Sequence, residues 1–493
     1  MLSGEEVAKH TSDEDLWVIV HGEAFNVSSF LAEHPGGPAI IRKYAGKDAT
    51  AAYEPIHPPN AINDFLPKEH HLGKVDMSTV VVEAKEETEE DRARQKRAEE
   101  KPALDELLNL FDFEAVAKGI MTPQAWAYYS SGADDEITMR ENHSAYQRIW
   151  FRPRILRDVT NIDHSTTMLG TKCSLPIYIT ATALGKLGHP DGELNLTRAA
   201  ARQDVIQMIP TLASCSFDEI VDEAQPGQTQ WMQLYVNKDR AITEKIIRRA
   251  EDRGIKGLFI TVDAPQLGRR EKDMRMKFAD EGSNVQKGDG TVDKSQGAAR
   301  AISSFIDPGL CWDDIAWLKG VTRMPLVLKG VQTWEDAVLA AEAGLAGVVL
   351  SNHGGRQLDF ARSGIEVLEE VMTELRKRNL VKPTFEVYID GGVRRASDVL
   401  KAVALGAKGV GIGRPFLYAY SAYGPDGVVK AIQILKDEMT MNMRLLGSPS
   451  ISDVTRDMVD VSALQSHSGN VPMDELFKRS YEPLPNVMSK SKL

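Results

Sequence analysis

Apolar and polar positions divide the chain into two unlike parts. Near the N-terminus Leu16-Trp17-Val18-Ile19-Val20 is a short apolar run suited to a strand. His21-Gly22-Glu23 punctuates it as a turn before Ala24-Phe25-Asn26-Val27. Proline and glycine recur through 34–38 and 55–59 and mark loops, with a helix-like Ser28–Glu33 before the first. Residues 1–76 read as one compact unit. Residues 84–101, AKEETEEDRARQKRAEEK, then hold almost nothing apolar. They read as a solvated linker, transiently helical at most through acidic-to-basic i,i+4 pairs. The linker is placed at 77–103.

From about residue 104 strands and helices alternate. Eight apolar, β-branched runs follow one another: Leu175–Ala183, Val205–Thr211, Trp231–Val236, Gly257–Ala264, Pro325–Gly330, Gly347–Ser351, Phe385–Asp390 and Gly409–Gly413. Helix-like segments such as Thr333–Ala343 and Ser397–Leu405 fill most of the gaps. Eight strand–helix units predict an α/β fold, a closed (β/α)8 TIM barrel over 104–493, behind a small α+β N-terminal module. The gap holding residues 279–300 is oversized, polar and Gly-rich, and reads equally as a mobile loop over the barrel mouth or as a disordered insertion with no role.

Composition narrows the function. The 493 residues allow two to four domains, fewer if one is a barrel. A net charge of −12 argues against a nucleic-acid or anionic-membrane partner. No run of ~18 apolar residues exists, so no membrane span is expected. Cys173, Cys215 and Cys311 are scattered and read as reduced, mostly buried thiols. The acidic N-terminus resembles no presequence, whereas Ser491-Lys492-Leu493 is a peroxisomal address if exposed. A peroxisomal location is therefore expected, with the mitochondrial intermembrane space and the cytosol as alternatives.

Two motifs carry chemistry. In the N-terminal module His34-Pro35-Gly36-Gly37 and the later Glu54-Pro55-Ile56-His57-Pro58 place two histidines in Gly- or Pro-flanked loops. Such a pair suits bis-imidazole ligation of haem iron by His34 and His57. His10, His21, His70 and His71 read as ordinary side chains.

In a barrel the carboxyl ends of the strands converge on one site. The sixth run ends in Ser351-Asn352-His353-Gly354-Gly355-Arg356-Gln357-Leu358-Asp359, a base and a carboxylate clamp on one short loop. The fourth ends in Asp263, which could hold the His353 imidazole, and Arg270 follows as a second anion donor. Lys329, at the end of the fifth, is costly to bury unless it faces an anion. The Gly-rich turns Asp390-Gly391-Gly392-Val393-Arg394 and Gly411-Ile412-Gly413-Arg414 follow the seventh and eighth strands, the usual phosphate seat of this fold. Tyr128 and Tyr235 are candidate phenolic donors, although either alone is more often a core aromatic.

These motifs are similar to those of a known family. Residues 104–493, and SNHGGRQLD above all, resemble the FMN-dependent 2-hydroxy acid oxidase/dehydrogenase family, and residues 1–76 resemble cytochrome b5. The two modules together resemble the family's flavocytochrome branch. The resemblance implies FMN and haem b as cofactors and oxidation of an L-2-hydroxy acid, L-lactate to pyruvate. Electrons would pass through haem to cytochrome c or another acceptor, in a homotetramer.

By the same resemblance His353 is the base and Asp263 its charge partner. Arg356, Tyr128 and Arg270 bind the substrate carboxylate, and Tyr235 donates to the hydroxyl oxygen. Lys329, Thr182, Gln233 and Thr261 contact the flavin. Asp390, Gly392, Arg394, Gly413 and Arg414 hold its ribityl chain and phosphate. Ala183, Leu212 and Leu267 line the side-chain pocket, where glycolate-preferring members tend to carry aromatics. Pro210 stands where the family usually has a serine near the flavin. Three rival readings are an oxidase using O2, a haem-binding carrier or sensor with an inactive barrel, and a nucleotide dehydrogenase with Cys215 as nucleophile.

Overall fold

A computed structural model of the chain describes residues 1–31, 38–54, 57, 62–63, 66–81, 87–280 and 305–466. His34, most of the 279–300 insertion and Ser491-Lys492-Leu493 lie outside the described residues.

The first apolar runs pair as a hairpin, Asp15–Val20 against Glu23–Asn26, turned by left-handed His21 and Gly22. They belong to a five-stranded sheet ordered Leu2–Ser3, His71–Asp76, Glu23–Asn26, Asp15–Val20, Thr11–Ser12. Strand periodicity splits Asp15–Val20 between two cores. Leu16, Val18 and Val20 join Phe25, Val27, Leu31 and Leu66, whereas Ile19 joins Val7, Ala24 and Val75. Of the helix-like Ser28–Glu33, the described residues hold a 3-10 turn at Ser28–Phe30. The charged linker departs further from expectation. Glu89–Glu99 is a formed helix, because Thr88 and Asp91 close a reciprocal capping box at its start.

All eight expected barrel strands form: β1 Ile177–Ile179, β2 Ile206–Ile209, β3 Gln230–Leu234, β4 Leu258–Thr261, β5 Leu326–Val331, β6 Gly347–Leu350, β7 Glu386–Asp390 and β8 Gly409–Ile412. They close in sequence order, β8 pairing with β1. Helices outside and side chains inside bury both faces of each strand, so a run such as Leu326–Val331 is buried throughout. Tyr178, Trp231, Phe259 and Tyr388 fill the amino-terminal end, joined by Met168 and Cys173 of a hairpin before β1. The barrel is therefore plugged below, and an open site can form only at the carboxyl end.

Helices Leu110–Ile120, Pro123–Ser130 and Ile137–Gln147 precede the barrel and contribute to its mouth. Gly355 and Gly392 allow that approach. A Cβ at Gly355 would lie 2.5 Å from the Met139 backbone, and one at Gly392 would lie 1.9 Å from the Asn142 carbonyl oxygen. Helix Arg414–Leu446 breaks at Tyr423 and Gly424, just before Pro425. Among the described residues no helix is long and apolar enough to cross a membrane.

A candidate active site at the carboxyl ends of the strands

One cavity at the barrel mouth gathers almost every residue singled out from the sequence. Its wall includes Tyr128, Thr182, Ala183, Leu212, Gln233, Tyr235, Leu267 and Arg270, and also Lys329, His353, Arg356, Asp390, Gly392, Arg394, Gly413 and Arg414. Pro210 is on the same wall. Thr261 stands just behind it, its hydroxyl accepting from the Gln233 amide at 2.9 Å.

The sixth-strand loop aims the base. His353, Gly354 and Gly355 are consecutive left-handed residues with φ of 60°, 64° and 76°. That conformation is costly for the histidine and routine for the glycines. His353 Nδ1 lies 3.0 Å from Asp263 Oδ1, and His353 Nε2 lies 3.2 Å from the Tyr235 hydroxyl. A carboxylate only accepts, so Nδ1 carries the proton and Nε2 holds the lone pair that accepts from Tyr235. Burial lowers the His353 pKa, Asp263 opposes that, and Lys329 adds to the lowering, so the imidazole is neutral near pH 7. Burial pushes the Asp263 carboxyl up, but His353 and Lys329 outweigh it and hold it below the usual range. The result is a neutral base backed by a fixed negative charge.

The β5 strand is distorted beside this pair. Its register with β6 shifts between Lys329 and Val331, at Gly330 (φ 110°). A Cβ there would lie 2.6 Å from Asp263, so a side chain would displace the carboxylate. Lys329 Nζ is buried 3.6 Å from Asp390 Oδ2 and 3.4 Å from Ser351 Oγ.

Two guanidiniums face the base. Arg356 is held by the Tyr128 and Ser131 carbonyls at 2.7 and 2.9 Å, and stacks 5.1 Å from the Tyr128 ring. Arg270 is buried, and its nearest acceptors, the Arg356 carbonyl and Gln357 Oε1, are both at 3.4 Å. Burial and the Arg356 charge pull Arg270 down to about 9, so it is still charged at neutral pH but poorly compensated. An incoming carboxylate relieves that penalty.

The other end of the cavity is a cradle for an anion. Arg394 Nη2 meets Glu114 Oε2 at 3.1 Å, while buried Arg394 Nε and Nη1 have no hydrogen-bond partner among the described residues. Asp390 Oδ1 and Thr182 Oγ1 are likewise buried without one. Gly391 and Gly392 (φ 93° and 79°) turn the backbone beside them. Unused donors, a buried acceptor and a backbone cradle fit the phosphate and ribityl chain of FMN. Arg414 is on the cavity wall and also has a bracing part. Its guanidinium donates to the Tyr129, Gly354 and Ser131 carbonyls at 2.8, 2.9 and 2.8 Å, so it braces the sixth-strand loop. Sequence reading missed Glu114. The available signal was an acidic residue on the buried face of Leu110–Ile120, beside Leu110, Phe113 and Ala117.

In the N-terminal module His57 Nδ1 lies 3.1 Å from the Tyr53 carbonyl, and its ring stacks on Tyr53 at 4.2 Å. The carbonyl fixes the tautomer with the proton on Nδ1, the form in which an imidazole can ligate iron through Nε2. Among the histidines read as ordinary side chains, His10 stacks on Trp17 at 3.5 Å, and His71 Nε2 is 3.2 Å from the Leu66 carbonyl. Burial pushes the Cys215 thiol up to about 12, which is unfit for a nucleophile at neutral pH.

A plugged eight-stranded barrel whose mouth joins an anion cradle to a His–Asp base is the architecture of a flavin-dependent oxidoreductase. The chain belongs to the FMN-dependent dehydrogenase family, which it matches over residues 117–461. Residues 3–76 match the cytochrome b5-like haem/steroid binding domain. The chain is 56% identical over 481 residues to the L-lactate dehydrogenase (cytochrome) of Wickerhamomyces anomalus, covering 98% of this chain and 83% of that one. It is 52% identical over 492 residues to the enzyme of the same name from Saccharomyces cerevisiae, with the same coverage. The solved flavin-binding domain of baker's yeast flavocytochrome b2 superposes with a TM-score of 0.72 at 53% identity, covering 81% of this chain and 98% of that one. The expected flavocytochrome class is thus met. These relatives lend no support to a peroxisomal location.

Proposed function

We propose that the chain oxidises L-lactate to pyruvate at FMN and passes the electrons through haem b to an external one-electron acceptor such as cytochrome c. Residues 1–76 form the haem module, 77–103 the linker and 104–493 the catalytic barrel in this reading. The observation that carries it is the chain Asp263–His353–Tyr235 facing Arg270 and Arg356 across one cavity.

The substrate carboxylate docks on Arg270 and Arg356, with Tyr128 beside them. That places the α-carbon and hydroxyl against His353 Nε2 and Tyr235. His353 takes a proton, and Asp263 stabilises the imidazolium that forms. Tyr235 donates to the substrate oxygen. FMN, when bound, supplies the two-electron acceptor. Lys329 places a positive charge against the flavin ring, with Thr182, Gln233 and Thr261 around it. Arg394, Asp390, Gly392, Gly413 and the backbone at Arg414 hold its polar tail, with Glu114 orienting Arg394. His34, outside the described residues, and His57 would ligate the haem iron, whose chemistry would be one-electron transfer.

The cytochrome in the relatives' names favours a compartment that contains one, such as the mitochondrial intermembrane space, over a peroxisome. Imaging a fluorescent fusion with and without Ser491-Lys492-Leu493 tests the location. Assembly as a homotetramer belongs to the same reading, and light scattering tests it. The function itself is tested by the anaerobic spectrum before and after L-lactate. Flavin bleaching followed by reduced b-type haem bands is expected. Bleaching with the haem left oxidised would point instead to an O2-using oxidase.

A further inference from the structure

The substrate side of the cavity rests on a buried carboxylate outside it. Glu193 is fully buried between the loops that follow β1 and β2. Its Oε1 accepts from the backbone N–H of Gly185 at 2.8 Å and of Ser214 at 3.0 Å, and its Oε2 accepts from that of Cys215 at 3.1 Å. Gly185 and Gly192 are packed close around it. A Cβ at Gly185 would lie 2.8 Å from the Glu193 carboxyl carbon, and one at Gly192 would lie 3.1 Å from Cys215 Sγ.

These two loops carry the wall of the side-chain pocket. Ala183 lies two residues before Gly185, and Leu212 two residues before Ser214. They are joined directly as well, Leu184 N–H donating to the Leu212 carbonyl at 3.1 Å. Leu184 is left-handed (φ 59°), a conformation that branched side chains adopt only under restraint. The Tyr129 hydroxyl supplies more restraint, donating to the Leu184 carbonyl at 2.5 Å.

We infer that Glu193 is a positioning residue for substrate selection. It ties the β1 and β2 loops into one rigid wall and so fixes the spacing of Ala183 and Leu212. This rests on the proposed 2-hydroxy acid chemistry. Three backbone donors require both carboxylate oxygens. Glutamine has one accepting oxygen, so it must turn an NH2 group toward a backbone N–H. If its oxygen stays on Cys215, the NH2 group faces the Gly185 and Ser214 N–H groups and the bridge between the two loops breaks. If its oxygen stays on Gly185 and Ser214, the NH2 group is set against the Cys215 N–H and strains the loop bearing Leu212.

The test compares Glu193→Gln with the unaltered holoenzyme across L-lactate, L-2-hydroxybutyrate and L-2-hydroxyhexanoate, together with FMN content. With the wall loosened, the ratio of kcat/KM for L-lactate to that for the six-carbon acid falls roughly tenfold. A merely structural role lowers yield or scales all three substrates alike, and an unchanged ratio overturns the inference. Should that variant not fold or not hold FMN, Tyr129→Phe loosens the same wall from its other side. An unchanged ratio there has the same force. Unaltered holoenzyme inactive on all three acids refutes the proposed chemistry instead, and is thereby distinguished.

Discussion

Asp263 and His353, 90 residues apart in sequence, meet with Oδ1 3.0 Å from Nδ1 at the ends of two different strands. The contact depends on Gly330 between them, where any side chain would strike Asp263. One geometry thus sets the tautomer, the orientation and the charge of the base.

Replacing the base tests this first. His353→Gln keeps polar contacts but takes up no proton at neutral pH, so the rate of substrate-driven flavin reduction falls about 10²–10⁴-fold. Stopped-flow absorbance reads the rate, and a near-normal value removes His353 from the role.

The pH profile has a definite sign. Activity requires neutral His353, whose pKa lies below the ordinary imidazole value of 6.5 because of burial first and, among the other lowering influences, Lys329. Wild-type kcat/KM is therefore flat through neutrality and declines only as pH falls below 6.5. Asp263 raises that pKa, so Asp263→Asn moves the acidic limb lower still while reducing the plateau. A limb that moves to higher pH contradicts the assignment.

Arg270 separates function from stability. Among the described residues its buried charge forms no salt bridge, and the pull of Asp273 in its favour is weaker than the effect of burial, so Arg270→Met leaves the melting temperature unchanged or higher. The same change withdraws a donor from the substrate carboxylate, costing about 2–5 kcal/mol of binding. Rising KM with undiminished Tm is the expected pair of results, read by steady-state kinetics and calorimetry.

The buried donors of Arg394 predict cofactor loss. Arg394→Gln removes the charge facing the phosphate and leaves Glu114 buried opposite a neutral amide. FMN affinity falls roughly 10²-fold or more, as for a lost charge-assisted contact. Fluorescence titration of the apoprotein with FMN measures it. Tight FMN retention would take Arg394 out of the phosphate seat.

Much of the barrel was legible because its strands are buried on both faces and read as uninterrupted apolar runs. The mouth was legible in part, because His353, Asp263, Lys329 and Arg394 stand at or just beyond the ends of those runs. What remained hidden depends on contacts distant in sequence. Glu114 becomes meaningful only when Leu110–Ile120 reaches Arg394. Arg414 sits in a phosphate-like turn, yet it binds the carbonyls of Tyr129, Ser131 and Gly354, which strand order alone does not bring near it. The Glu89–Glu99 helix was obscured because its stability comes from the Thr88–Asp91 cap and not from an apolar face.

The two modules should fail separately. His57→Ala removes a ring already oriented by the Tyr53 carbonyl. The low-spin bis-histidine spectrum and reduction of an external cytochrome are lost. Flavin reduction by L-lactate persists, since no residue of the barrel site lies in the N-terminal module. An unaltered haem spectrum excludes His57 as a ligand.

Substrate preference follows from the shape of the wall opposite the base. Ala183, Leu212 and Leu267 share the cavity with Tyr235 and Arg270, so a substrate bound by its carboxylate turns its side chain toward aliphatic groups. A methyl group fills contacts that the hydrogen of glycolate leaves empty. One methylene-sized difference is worth about 1–3 kcal/mol in a pocket of this kind. L-Lactate should accordingly exceed glycolate in kcat/KM by roughly 10–200-fold, with activity falling in steps as the chain lengthens. Leu212→Ala should flatten those steps by admitting longer chains, because it removes wall without touching His353 or either arginine. If the longer acids gain nothing in Leu212→Ala, or if glycolate outruns L-lactate in the unaltered protein, the side chain does not point at this wall and the substrate lies in the site the other way round.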